Sequence, residues 1–162
     1  MLNLLKRINP VRGIIIIILI VGSAKLITTQ IFIAENLTNS LKGKYFIAIR
    51  TNKIKRGDIV VVQLNNNKYY GNNKLLKRVV GLAGDKIEKR QDRFYINDKF
   101  IGKALKKTKK GTKLVSIILK TNKIPDNHIF ITTRHEQGYD SRYQSLGFIP
   151  VDRVIARAYR IY

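Results

Sequence analysis

Residues 75–87 read LLKRVVGLAGDKI. Leu75, Leu76, Val79, Val80 and Leu82 make an apolar, valine-rich run, the composition of a pleated, half-buried strand. Gly84-Asp85 closes it with a turn signal. Neighbouring side chains on a strand point to opposite faces. Lys77 and Arg78 therefore part company, and one can be buried while the other meets water. Burial disfavours the charged form of a lysine and can lower its pKa by about 3 to 5. A buried Lys77 would be a neutral amine and a base; a lysine on a solvated strand face is the alternative.

Working outward, the flanking chain repeats the strand pattern. YFIAIR (45–50), DIVVVQL (58–64), LLKRVVGL (75–82), KIEKRQDRFYIND (86–98) and HIFITT (128–133) are rich in Ile, Val, Tyr and Phe. Clusters of Gly, Asn, Asp and Lys bound them. RGD (56–58) and AGD (83–85) lead into strands as turns. FYINDKFIGK (94–103) reads as a hairpin with Asn97-Asp98 at its tip. KALKKTKKGTK (103–113) is too charged for a core and reads as a loop or an extended edge. No heptad, internal repeat or long amphipathic helix follows residue 35. The predicted fold class is mainly β, an antiparallel β-sheet in a single domain spanning residues 35–162.

The N-terminal stretch is different in kind. Gly13 to Ala34 is an apolar stretch containing IIIIILI at 14–20. At about 1.5 Å per residue it is long enough for a bilayer core of roughly 30 Å. Lys25 and Gln30 interrupt it. Lys6, Arg7 and Arg12 precede it and favour a cytoplasmic N-terminus. The expected organisation is a cytoplasmic segment (1–12), one transmembrane helix (13–34) and an extracytoplasmic domain (35–162). The expected location is single-pass in the inner (cytoplasmic) membrane. A cleaved signal peptide ending at Gly22-Ser23-Ala24 is the competing reading.

Composition narrows the chemistry. The 162 residues hold no Cys and two His, with 32 Lys plus Arg against 10 Asp plus Glu, a net charge of +22. Disulfides, thiolate sites and cysteine nucleophiles are excluded. His128 and His135 show no metal-ligand spacing, so no metal is expected. No GxxxxGK[ST] or GxGxxG is present, and no cofactor is expected. The basic residues are scattered along the chain with Asn and Ile, as in LNNNKYYGNNK and KTNKI. They suit a lysine-rich surface and contact with membrane lipid, and no specific nucleic-acid partner is expected. What remains is a serine activated by a neutral lysine.

Taken together, the segments resemble a family. KRVVGLAGD (77–85) is similar to the lysine box of type I signal peptidases, with Ala83 where proline is usual. RGDIVVV (56–62) resembles the strand before that box and FYINDKF (94–100) the hairpin after it. DSRY (140–143), with Gly147, Ile149 and VDRVIARA (151–158), resembles the C-terminal box. NLTNSLKGKY (36–45) is most like the conjugative-transfer branch, the TraF-like peptidases. The resemblance implies a signal-peptidase-like fold and a Ser–Lys dyad, with Ser40 the nucleophile and Lys77 the base. It implies an oxyanion hole from the Thr38 hydroxyl and the Ser40 N–H, with Arg78, Gly84, Asp85, Asp140 and Arg142 as supporting residues. The implied substrate is a preprotein or propilin with small residues before the cut. Besides Ala83, the chain departs from the family pattern in four places: TTR (132–134) stands where GDN is usual, DSRYQSLGF (140–148) is two residues longer than the usual spacing, and two further changes bear on the dyad. The proline expected after Leu41 is missing, and Gly138 stands where the family often has a serine that orients the lysine. A housekeeping signal peptidase, an inactive relative and a basic membrane-tethered binding module are the other readings.

Overall fold

The computed structural model describes residues 10–37, 41–71, 73–108, 111–133, 135 and 138–161; within its helix, the side chains of residues 10, 23, 24 and 26–28 are not described. The chain divides into two compact units, residues 1–32 and 33–162.

In the first unit a helix, α1, runs from Pro10 to Gln30. Proline suits a first helical position because its missing N–H has no intrahelical partner there. Ile14 to Ile20 are all 49–65% exposed, so this apolar run has no buried face among the described residues. Among the described residues no helix is long and apolar enough to cross a membrane. Residues 31–34, grouped from the sequence with the anchor, are strand: β1 covers Ile31–Glu35.

The second unit is antiparallel β. Its strands are β2 (Tyr45–Ile49), β3 (Ile59–Gln63), β4 (Lys74–Gly81), β5 (Ile87–Arg90), β6 (Arg93–Ile96), β7 (Lys99–Lys103), β8 (His128–Thr132), β9 (Ile149–Pro150) and β10 (Val154–Arg160), with a short 3-10 turn at Val151–Arg153. A seven-stranded sheet has the order β1-β2-β10-β3-β4-β8-β9, and β5-β6-β7 form a second sheet. β4 is central, paired to β3 with Lys77 opposite Val60 and to β8 with Arg78 opposite Thr132. The mainly antiparallel β class expected from the sequence is therefore the class observed.

Two details depart from expectation. The stretch 86–98, read as one strand, is a hairpin, β5 and β6, turning at Gln91-Asp92, with Gln91 in the left-handed region at φ +55°. The polar loop 103–113 still sends Ala104 into the core, where it is 2% exposed. At the predicted tip, Asn97 and Asp98 take φ +47° and +61°, the paired positive angles of a two-residue hairpin turn. The core joins both sheets: Val60, Val62, Leu64 and Val79 from the large sheet pack with Ile87, Phe94 and Ile96 from the small one. Ile117 and Ile124, on the irregular segment between β7 and β8, complete it.

Candidate active site

Lys77 lies on the core face of β4. Leu75 and Val79, two positions to either side, join the hydrophobic core, and Val60 opposite is fully buried. Lys77 itself is 5% exposed. Burial lowers its pKa to about 8, against a smaller upward pull from the Asp140 carboxylate. About a tenth of the molecules would thus hold a neutral amine at pH 7. Arg78 emerges on the opposite face, where its Nη1 donates to the Gly57 carbonyl at 2.6 Å. The alternation expected from the sequence is what separates these two cations.

The turn after β8 brings up the other charges. Ser141 fastens it to β8: its N–H donates to the Ile131 carbonyl and its Oγ accepts the Ile131 N–H, both at 3.1 Å. Asp140 and Arg142, fully or almost fully buried, then form a two-pronged pair, with Nε on Oδ1 and Nη2 on Oδ2, each 2.8 Å. Asp140 Oδ2 also accepts the Thr133 N–H at 3.0 Å. Arg142 donates further to the carbonyls of Lys103 and, at 3.2 Å, Gly138. A buried arginine keeps its charge and needs such partners. Gly102 makes room for it: a Cβ there would stand 2.8 Å from Arg142 Nη1.

Gly84 and Asp85 do a different job. Gly84 turns the chain at φ +82° and its N–H donates to Ile124. Asp85 accepts both Arg56 Nη2 (2.6 Å) and the Leu82 N–H (2.6 Å), and Asn97 Nδ2 at 2.8 Å. Its partial burial would raise the carboxyl's pKa, but Arg56, the Leu82 N–H and Asn97 together hold it below the ordinary value. Asp85 thus locks the β4–β5 turn to the β6–β7 hairpin, and Gly84 ties it to the segment before β8.

Thr38 and Ser40 lie outside the described residues. The chain on either side of them is closed at its base. Asn36 Nδ2 donates to the carbonyls of Leu41 (2.9 Å) and Gly43 (3.1 Å), and the Asn36 N–H to Lys44 (2.8 Å). Gly43, which follows where the family proline is missing, supplies a turn at φ +105°. Leu41 is buried. Among the described residues no cluster of three or more metal-ligating side chains occurs. The described site thus unites Lys77, Asp140 and Arg142 in one buried neighbourhood and puts Arg78, Gly84 and Asp85 on its supporting frame.

The comparisons with known proteins bear on this constellation. A family model described as signal peptidase, peptidase S26, matches residues 5–162. The chain belongs to that family. Signal peptidase IB of Staphylococcus aureus is 30% identical over 102 residues, covering 60% of this chain and 50% of the relative. Signal peptidase I T of Bacillus subtilis is 29% identical over 109 residues, covering 64% and 54%. The chain spans about half the length of the curated relatives it matches. A crystal structure of a signal peptidase I from Enterococcus faecalis aligns with 23% identity and a TM-score of 0.42, covering 65% of this chain and 96% of that one.

Two residues of this buried neighbourhood were not singled out as site residues from the sequence. Gly102 carried a signal, since an isolated glycine inside a strand pattern marks a close approach. Thr133 falls in TTR (132–134), where the family pattern has GDN, but the sequence alone gives it no role. Only the fold places it at the end of β8, 6% exposed and bonded to Asp140.

Proposed function

We propose that this chain is a membrane-anchored serine endopeptidase that cuts signal peptides or propilin-type precursors with a Ser40–Lys77 dyad. Neutral Lys77 takes the Ser40 proton as the Ser40 oxygen bonds to the scissile carbonyl carbon. The Thr38 hydroxyl and the Ser40 N–H receive the developing oxyanion. Collapse breaks the C–N bond, and the departing amine takes the proton back from the Lys77 ammonium. Lys77 then accepts a proton from water as the hydroxide adds to the ester carbon, and returns it to the Ser40 oxygen as the acyl C–O bond breaks. No step calls for a metal or cofactor. The observation that carries the reading is a lysine in an apolar core whose amine titrates near 8.

Membership of the S26 family and the names of its relatives support a preprotein substrate. The likeness of TNSLKGKY (38–45) to the conjugative-transfer branch supports a dedicated conjugation peptidase over a housekeeping one. The exposed apolar run 14–20 of α1 supports the anchor, with the catalytic domain on the extracytoplasmic side. So does the exposed face of β2 and β10, where Ile49, Ile47 and Tyr45 lie beside Arg157, Tyr159 and Ile161.

The test is cleavage of an internally quenched peptide carrying an Ala-X-Ala site by the full chain in detergent. Ser40→Ala and Lys77→Ala are each expected to lose about 10⁴-fold or more in kcat/KM, with the circular dichroism of the wild type. Equal cleavage by Ser40→Ala would overturn the dyad. Its activity is also expected to fall as the pH drops below about 8, because the lysine is then protonated.

A further inference from the structure

Beside Lys77 sits a hydroxyl whose hydrogen bonds fix its direction. Thr133 Oγ1 donates its proton to the His135 carbonyl at 2.9 Å and accepts the His135 N–H at 2.9 Å. A hydroxyl has one proton and two acceptor positions. With these two partners it can give nothing more and can accept one more N–H. Thr133 follows directly on the Arg78–Thr132 pair of β4 and β8, so the antiparallel register brings it opposite Lys77. Its own N–H is on the Asp140 carboxylate, the group whose charge acts on the Lys77 amine.

Gly138 shows that the place is reserved for Thr133. Its backbone is not in the left-handed region, so it is not glycine for conformational reasons. A Cβ there would lie 2.1 Å from Thr133 Oγ1, 2.5 Å from Cγ2 and 2.8 Å from Cβ. No rotamer change of a residue at 138 moves its Cβ, so either 133 or 138 can carry a side chain in this space, and here 133 does.

We infer that Thr133 is the positioning residue of the lysine base, its Oγ1 accepting an N–H of the neutral Lys77 amine and turning the nitrogen lone pair toward the nucleophile. Because the Thr133 proton is held by His135, the hydroxyl cannot donate to that lone pair and occupy it. Among the described residues, the charge that acts on the amine is the Asp140 carboxylate, itself paired with Arg142 on the turn after β8. The inference rests on the Ser40–Lys77 reading for its catalytic meaning, but not for its measurement.

The experiment compares full-length wild type with Thr133→Val, Thr133→Ser, Gly138→Ser and the exchange Thr133→Gly/Gly138→Ser. Two readouts are taken: cleavage of the Ala-X-Ala peptide, and the titration of Lys77 followed by the NMR shift of its ¹³Cε. Thr133→Val is expected to lower kcat by about 10- to 100-fold with KM within twofold. Its Lys77 is expected to titrate lower than in the wild type, because an acceptor stabilises ammonium more than amine. Thr133→Ser should retain both wild-type values. Gly138→Ser should lose activity and the exchange should recover part of it, the hydroxyl now arriving from 138. A merely structural Thr133 predicts the opposite titration: water entering a loosened core would move Lys77 up toward 10.5. That upward move, or an unchanged kcat and titration in Thr133→Val, overturns the inference. Thr133→Ala replaces valine if the latter does not fold. If the wild type cleaves nothing, the protease reading fails, while the Lys77 titration still decides the contact with Thr133.

Discussion

Lys77 and Arg142 are both basic, both within a few per cent of complete burial, and solved in opposite ways. Arg142 keeps its charge and is surrounded by acceptors: two carboxylate oxygens of Asp140 and the carbonyls of Lys103 and Gly138. Lys77 sits between Leu75 and Val79, opposite Val60, and titrates near 8. The difference is chemical. A guanidinium cannot shed its proton inside a protein, so it must be paired; an ammonium can, and burial makes it do so. One region spends its polar groups on rigidity. The other packs apolar side chains along its lysine and obtains a base.

The comparison breaks most visibly at Asp140. Asp140→Asn removes the charge that matches Arg142 while leaving the cation buried. Breaking such a pair from one side costs about 3–5 kcal/mol, read as a lower urea midpoint at unchanged slope. The same change removes the upward pull of Asp140 on Lys77, so the amine should titrate lower, not higher. A variant that loses little stability would mean that Arg142 is held by the backbone carbonyls alone.

Lys77 gives the reverse sign. Its pKa is about 8 folded against an ordinary 10.5, so between these values the unfolded chain binds more protons. Stability therefore rises with pH across that window, and below about 8 the whole penalty is present. It amounts to about 3 kcal/mol. Lys77→Met, which keeps the stem and drops the amine, is expected to be inactive and up to that much more stable at pH 7. Its stability should also be flatter than the wild type's from pH 8 to 10. Equal urea midpoints for the two proteins at pH 7 would show that Lys77 reaches water.

Much of this contrast could be read before the fold was known, and for definite reasons. Strand alternation separates Lys77 from Arg78 whatever lies around them, and Asn97-Asp98 specifies its turn by local conformation alone. Asp140 and Arg142 are two apart in a recognisable box. The β5–β6 turn at Gln91-Asp92 is hard to read because Asp92 alone is a turn former and Gln91, the residue at φ +55°, is not. Residues 31–34 were merged with the apolar helix because Ile31, Phe32 and Ile33 suit lipid and strand equally. Thr133 shows in the sequence only as part of TTR (132–134) in place of the family's GDN, because its role depends on contacts with Asp140, His135 and Gly138 that the turn after β8 creates.

The smallest effect sharpens the comparison best. Gly102 has φ +149° and faces the Arg142 guanidinium, with Nη1 2.8 Å and Cζ 3.4 Å from where a Cβ would stand. Gly102→Ala therefore meets backbone strain and a side-chain clash, together costing roughly 1–3 kcal/mol. The backbone part does not depend on Arg142, and the clash does. In a chain already carrying Asp140→Ala and Arg142→Ala, the clash is gone and only the strain remains. The cost of Gly102→Ala should then be smaller than in the wild type, a non-additivity that a double-mutant cycle in urea measures directly. Lys77 should not notice: its titration is expected to stay near 8 in Gly102→Ala, because the arginine region supports the frame and leaves the solvation of the base to the apolar side chains of β3 and β4. Movement of that titration would join the two regions into one unit.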